Sequence, residues 1–312
     1  MVRVATFNVE NLFARYDFAS GTPPAPGKPF TVSDLKIASP VPDGKLELTV
    51  QAIREINADV LCLQEVDSLP ALDWLHSRHL GGMEYHHRML VDGNDQRGID
   101  VALMSRHPIV SVRSYRHELA ENGAEKLFSR DCLEAVVMVE SVPLTLYLNH
   151  FKSMAGGRAQ TQAKRSEQAS RVAAIVEAAW KPKGYVGNFL VAGDFNDYVG
   201  EPGDPKSAIE GLVCHEGLKN AMQWILDPEQ RYTHSFLPFG EKTTQYHQLD
   251  YLLLSKALAE KNEAQGHNRI GIMRKGMPYR AEKYDGPRFQ GVGLDEPKAS
   301  DHAAVWVDLD LV

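Results

Sequence analysis

Cysteine is scarce in this 312-residue chain: Cys62, Cys132 and Cys214 are the only three, odd in number and far apart. Two of them sit in apolar runs, Val60-Leu61-Cys62-Leu63 and Asp131-Cys132-Leu133. The reading is therefore buried, reduced thiols rather than a disulfide framework or a zinc site. Long apolar stretches are missing too, and nothing approaches the ~20 residues that span a bilayer. The opening Met1-Val2-Arg3-Val4-Ala5-Thr6-Phe7 enters a strand-like pattern directly, without the apolar core and cleavage site of a secretion signal, so a cytoplasmic, reducing location is expected. Basic charge is in deficit. A net charge of −7 argues against the phosphate-neutralising footprint of a protein that binds long nucleic acids. A hydrolytic metal site gathers carboxylates of its own, however, so charge does not choose the substrate. No internal repeat or linker divides the chain, and 43% hydrophobic with 24% charged residues suits one folded domain over residues 1–312.

What is present is a series of strand-length apolar runs: Val2–Val9, Asp59–Val66, Ile99–Ser105, Leu133–Glu140, Leu144–His150, Phe189–Asp194, Leu249–Ser255 and Ala303–Leu311. The last alternates most clearly, with Val305, Val307, Leu309 and Leu311 against Trp306, Asp308 and Asp310, which predicts a strand with one buried face. Several others are apolar on both faces and belong between layers. Helical spacing places Leu46, Val50, Ile53 and Ile56 on one face of Leu46–Asn57. Further helices are expected over Arg158–Trp180 and over Ser68–Leu80, the latter with Leu69, Leu72 and Leu75 as its stripe. Ser20–Gly44, rich in proline, reads as an extended surface loop bordering the site. Tyr198–Lys206 and Gly266–Lys298 read as similar insertions. Strands interleaved with a few helices predict an α+β fold: a four-layer sandwich of two packed mixed β-sheets flanked by helices.

Polar residues stand at the ends of these strands where a core would not choose them: Asn8, Glu65, His150, Asp194 with Asn196, and Asp301-His302 before the last strand. Asp250 sits inside a sixth run. A lone carboxylate in such a place is usually a satisfied structural group. Six together call for a shared explanation such as a metal, because burying unpaired charge costs several kcal/mol each. Phosphoester hydrolysis would use them. A hard divalent ion takes oxygen ligands, here Glu65, Asp301 and the amide oxygen of Asn8, and leaves positions for water and a substrate phosphate.

Thr6-Phe7-Asn8-Val9-Glu10-Asn11-Leu12-Phe13, Leu63-Gln64-Glu65-Val66, Asn149-His150-Phe151-Lys152-Ser153, Gly193-Asp194-Phe195-Asn196, Leu249-Asp250-Tyr251 and Ser300-Asp301-His302 resemble the ordered motifs of the endonuclease/exonuclease/phosphatase superfamily. That group includes deoxyribonuclease I, repair nucleases, neutral sphingomyelinases and inositol polyphosphate 5-phosphatases. The resemblance implies a deoxyribonuclease I-like fold and a Mg²⁺ or Mn²⁺ site at Asn8, Glu65 and Asp301. It implies that Asp194 positions or deprotonates the nucleophilic water and that Asn196 hydrogen-bonds the phosphate. His302, oriented by Asp250, would bind or protonate a non-bridging oxygen or act as base. His150 resembles a general acid or transition-state stabiliser.

The chain departs from the pattern at Gln248, where many members carry arginine. Asp100 is read either as the partner that orients His150 or as a surface salt bridge. Arg158, Lys164 and Arg165 read as an exposed basic helix face rather than a phosphate clamp. Asn11, Arg130, Arg280, Lys283 and Arg288 are candidates for substrate binding. The last three lie between Arg269 and Phe289, where six basic residues meet two acids and Tyr279, Tyr284 and Phe289 interleave with them, a mixture suited to phosphates and flat groups. The expected function is Mg²⁺-dependent hydrolysis of a phosphodiester in nucleic acid or a nucleotide-like substrate. The alternative is a phospholipid or inositol-phosphate headgroup. A non-catalytic binding module is disfavoured, since a dead site would have no need of every central acid, amide and histidine.

Overall fold

The computed structural model describes residues 1–18, 35–200, 207–238 and 240–312. Two six-stranded mixed sheets face each other. The first has the order β15 (Ile270–Met273), β16 (Ala304–Leu309), β1 (Val2–Leu12), β4 (Val60–Val66), β6 (Asp100–Ser105), β5 (His87–Leu90). The second runs β11 (Leu218–Asn220), β14 (Asp250–Ser255), β10 (Phe189–Asp194), β9 (Val142–His150), β8 (Cys132–Val139), β7 (Ile109–Ser114). Val4, Val60, Cys62, Leu103 and Val307 of one sheet meet Leu133, Leu146, Leu148, Leu190 and Leu252 of the other in a fully buried layer. Strands covered on both faces lose the period-2 signal, and for that reason they read as continuous apolar runs.

The outer faces are covered by helices. α1 (Asp43–Ile56) presents Leu46, Val50, Ile53 and Ile56 to the first sheet, as their spacing predicts. α2 (Leu69–Leu75) is capped by the Ser68 hydroxyl, which accepts the Ala71 N–H, and a π turn over His76–Leu80 extends it. Leu72, Leu75 and Leu80 are buried, whereas Leu69, in the first turn, is exposed. On the second sheet lies α3 (Gln162–Trp180), with Val172, Ile175 and Val176 inward. It starts four residues later than predicted, after turns over residues 158–161 that follow the positive-φ pair Gly156 and Gly157. The remaining helices are short: α4 (Glu210–Val213), α5 (Lys256–Asn262) and α6 (Gly266–Arg269). The fold is thus α/β/β/α, with no helix among the described residues long and apolar enough to cross a membrane.

Several expectations change. β16 is buried on both faces, because Trp306 packs on the helix side and Arg3 stacks over its ring at 4.0 Å while pairing with Asp308. Gly266–Lys298 is not a plain insertion: it opens with α6 and the edge strand β15, whose Gly271 leaves room for the Trp306 ring that a Cβ would meet at 2.4 Å. The loop expected over 20–44 lies partly outside the described residues, as does Tyr198–Lys206. Its end forms β3 (Leu35–Pro40), paired antiparallel with β2 (Ala14–Phe18). All three cysteines are free, but Cys214 is exposed at the end of α4 rather than buried. Finally, β12 (His234–Phe236) and β13 (Gln245–His247) make a separate two-stranded ribbon that three-residue strands could not announce in the sequence.

Strand direction gathers the polar ends. β9 and β10 run parallel with Asp194 opposite His150, and β14 runs antiparallel with Asp250 opposite Asp194, so three chemical groups share one row. β1 and β4 run parallel in the other sheet and end on the same rim. Gly193 makes the close approach of β9 and β10 feasible: its φ is +137°, and a Cβ there would lie 1.9 Å from the Asn149 carbonyl oxygen. Gly193→Ala is expected to lower stability by about 3 kcal/mol through strain and steric overlap, read as a shifted urea midpoint. An unchanged midpoint would contradict this packing.

Candidate active site

Backbone irregularity aims the side chains at the rim. Both pairings of β4 shift register around Glu65, whose φ is +66°, and β1 bulges between Asn8 and Leu12, with Glu10 and Asn11 also at positive φ. A regular strand would alternate Gln64, Glu65 and Val66 across the sheet. The bulge instead turns Glu65 into the cleft, a common use of bulges beside active sites. Asn196, at φ +50°, completes a set of four non-glycine residues in the left-handed region. Strain held at one place marks a site whose geometry is over-determined by its surroundings.

The resulting cavity, about 670 Å³, is lined by Asn8, Asn11, Glu65, Arg130, His150, Asp194, Asn196, Asp301 and His302. Asp194 is its hub. One carboxylate oxygen, Oδ2, lies 3.1 Å from Asn8 Nδ2, 3.0 Å from Asn196 Nδ2, 3.5 Å from His150 Nε2 and 3.8 Å from His302 Nε2. The other accepts the Asn196 N–H at 2.7 Å. Burial pushes this carboxyl above its ordinary range, against the pull of His302. His302 Nδ1 meets Asp250 Oδ2 at 2.8 Å. Burial would lower the imidazole, but Asp250 and Asp194 raise it well above the ordinary value, so it is held protonated. His150 moves the opposite way: burial, then the Arg130 charge, drives it well down and keeps it neutral.

Some roles drawn from the sequence change with this geometry. The Asn8 oxygen accepts the Glu10 N–H at 2.9 Å, while its nitrogen faces Asp194 and, at 3.4 Å, Glu65. Asn8 therefore links two carboxylates through its nitrogen, while its oxygen keeps one lone pair beyond the Glu10 N–H. Asn196 spends both amide hydrogens on Asp194 and on the Phe151 carbonyl at 3.2 Å, so it orients Asp194 and has none left for phosphate. Asp100 is buried but accepts the Gly93 N–H at 2.7 Å, and His150 Nδ1 has no hydrogen-bond partner. It makes neither the His150 pair nor the surface bridge. Arg165 is fully buried on Asp197, together with Arg158, so these arginines brace the loop after Asp194 and do not form an exposed face. Arg280 pairs with Asp295 and Lys283 with Glu229, while Arg288 donates to the carbonyls of Met277, Pro278, Ala281 and Tyr284. None of the three lines the cavity.

The sequence reading missed several wall residues: Glu10, Arg97, Tyr198, His234, Phe236 and His247. Glu10 lay within a motif and could have been found. His234 and His247 sit on the ribbon, where no periodic signal exists. Burial, then the His302 charge, pushes His234 down to about 3, so it is a neutral ligand or acceptor. His234, Asp301 and His302 bring potential metal-ligand atoms within 4.8 Å of one another, as do Asp194, Asp250 and His302. Glu65 lies outside both groups but accepts the Asn11 N–H at 3.1 Å and faces a neutral His150 at 3.8 Å. Asp301 beside the uncharged His234 offers an oxygen and a nitrogen donor that could hold a cation, whereas Glu65 stands in neither group.

Asp250→Asn is expected to lower the His302 pKa, since it removes the carboxylate charge 2.8 Å from Nδ1 that opposes burial; histidine resonances followed by NMR across pH will show it. An unmoved titration would mean that Asp250 does not control this imidazole.

The family profile described as Endonuclease/Exonuclease/phosphatase family matches residues 5–302. No curated protein sequence matches significantly. Among solved structures, the human Nocturnin catalytic domain with bound sulfate anion superposes with a TM-score of 0.60 at 16% identity, covering 100% of this chain and 94% of that one. TDP2 from D. rerio complexed with single strand DNA product gives 0.54 at 14% identity, with coverages of 99% and 98%. Beta toxin 275-280 from Staphylococcus aureus gives 0.57 at 15%, covering 99% of both chains. At these identities the likeness shows the fold, and the deoxyribonuclease I-like architecture expected from the motifs is the one present.

Proposed function

The chain belongs to the endonuclease/exonuclease/phosphatase family, and on that premise we propose that it is a Mg²⁺- or Mn²⁺-dependent phosphodiesterase acting on nucleic acid or a nucleotide-like diester. The observation that carries this reading is the Asp194 hub: one buried carboxylate oxygen reached by Asn8, Asn196, His150 and His302, with Asp250 behind His302. A divalent ion at Glu65 and Asp301, when bound, would screen the phosphate and support developing charge.

The protein's own groups divide the remaining work. Asp194, held by the two asparagines, orients a water and takes its proton, which the raised carboxyl pKa favours. His302, kept protonated by Asp250, donates to a non-bridging phosphate oxygen. His150, neutral and buried beside Glu65 and Asp194, contributes an N–H to the negative charge developing on the leaving oxygen, which takes its proton from solvent. Arg130, buried with its guanidinium on Asp95 and the Phe151 carbonyl, adds fixed positive charge to the wall. The nucleic-acid preference draws on the aromatic and arginine residues of the same wall and on the DNA product seen in the D. rerio relative.

Excess EDTA should abolish turnover, and full activity in EDTA would sink the mechanism. Glu65→Gln should weaken metal binding by isothermal titration. Asp194→Asn, His150→Ala and His302→Ala should each cut kcat by roughly 10² or more with a near-normal Tm; a loss below about threefold for Asp194→Asn would make that residue structural. Assays on plasmid, single-stranded and abasic DNA, RNA, sphingomyelin and inositol phosphates separate this reading from the headgroup alternative.

A further inference from the structure

The ribbon of β12 and β13 is tied to the catalytic groups at its root. The Thr233 hydroxyl accepts the N–H groups of Leu249 and Asp250 at 3.0 and 3.1 Å, and its carbonyl accepts the Ala303 N–H. His234 also bridges to His302 across the backbone. Strand alternation then sorts the ribbon's two faces. Register pairs His234 with His247 and Phe236 with Gln245, and these four side chains line the cavity. Tyr246, between them, turns away and packs against Tyr232. One face of a short ribbon is thus a continuous wall that leads outward from His302.

Along that wall the rings follow one another. His234 lies 4.8 Å from His302, and Phe236 lies 6.4 Å from His234 with its plane inclined by only 21°. Phe236 is 52% exposed, and among the exposed large apolar side chains of the described residues it is the only one that lines the cavity. Exposure of a single apolar side chain is ordinary on a protein surface; what sets Phe236 apart is its place, a free ring face at the mouth of the cleft and in line with His234 and His302, open to a flat group. Gln245, directly across the ribbon, is exposed too; its amide nitrogen reaches Glu241 at 3.4 Å, which leaves a second N–H and the amide oxygen for a ligand. At the base of the same ribbon, Tyr198 stacks on His247 at 4.2 Å, and Arg158, paired with Asp197, lies over the Tyr198 ring and holds it there.

We propose that Phe236 and Gln245 form a base-binding subsite, Phe236 stacking on an unpaired nucleobase next to the scissile phosphate and Gln245 bonding to that base's edge. The inference rests on the phosphodiesterase reading and narrows its substrate to nucleic acid whose bases are unstacked, since a paired base in a duplex offers no free face to Phe236. Stacking on an aromatic side chain tolerates any base, whereas Gln245 can discriminate among base edges.

Two substrates with the same leaving group test it: the p-nitrophenyl ester of thymidine 5′-phosphate and methyl p-nitrophenyl phosphate, which differ only in the nucleoside. The wild type should prefer the nucleoside ester in kcat/KM by roughly tenfold, within the range for one stacked base. Phe236→Ala should erase that preference, and Phe236→Trp should restore it. An equal loss on both esters, or a preference untouched by Phe236→Ala, overturns the subsite. So does a Phe236→Ala defect confined to sphingomyelin in phosphatidylcholine vesicles, which would make the ribbon a lipid contact. Quenching of 2-aminopurine in a short single-stranded oligonucleotide, measured in EDTA, reads the contact without hydrolysis. If both esters prove inert while Phe236→Ala abolishes the quench, the catalytic reading fails and the base subsite stands. If no quench occurs with the wild type, the subsite fails whatever the esters show.

Discussion

A carboxylate with 1% of its surface exposed has to be solvated by the protein that buries it, and the site is arranged around meeting that demand at Asp194. Removing such a charge from water costs several kcal/mol unless donors replace the lost hydration. The donors come from both sheets: Asn8 crosses from β1, Asn196 folds back from the turn after β10, and two histidines close the remaining sides. The Asn8 to Asp194 bond is therefore a tie between the two sheets at the one rim where their polar ends meet. Sheet packing places the groups within reach, and the carboxylate's need for donors fixes their final positions.

That arrangement accounts for the backbone strain around it. Left-handed backbone at Glu10, Asn11, Glu65 and Asn196 is unfavourable for side chains with a Cβ, yet each of these residues lines the same cavity. Hydrogen bonds hold the strained residues in place, the Glu10 N–H to Asn8 and the Asn11 N–H to Glu65 among them. The opposite pKa displacements of His302 and His150 have the same origin. Both are buried beside Asp194, but only His302 has a second carboxylate at hydrogen-bond distance, while Arg130 faces His150. Two imidazoles of equal chemistry thus hold different protonation states within one cavity.

Much of this was legible in the sequence where residues obey a period or a motif. The central strands, α1, and the convergence of Asn8, Glu65, His150, Asp194, Asp301 and His302 follow from apolar runs that end in groups a core would reject. What could not be read depends on geometry without periodic signal. That Asn8 turns its nitrogen to two carboxylates follows from a bulge and from the Glu10 N–H, and whether Arg165 is exposed is settled by a buried Asp197 thirty-two positions away. The basic segment around Arg280, Lys283 and Arg288 carried the right composition for a phosphate surface. Its cations are occupied by local acids and carbonyls, which charge counting along a sequence does not reveal. The ribbon went unseen because three residues are too few to show alternation.

The ribbon belongs to neither large sheet, and it is bound to the machinery at its base, through Thr233 and His234. Its outer positions can therefore change by substitution or insertion without disturbing the Asp194 hub, in the way that variable loops on a rigid scaffold diversify binding. In evolutionary terms the chain separates two inheritances. The strand ends and the base of the ribbon are constrained together, since altering one unsettles the hydration of the others, whereas the outer ribbon positions carry no such tie and can change under an unchanged site.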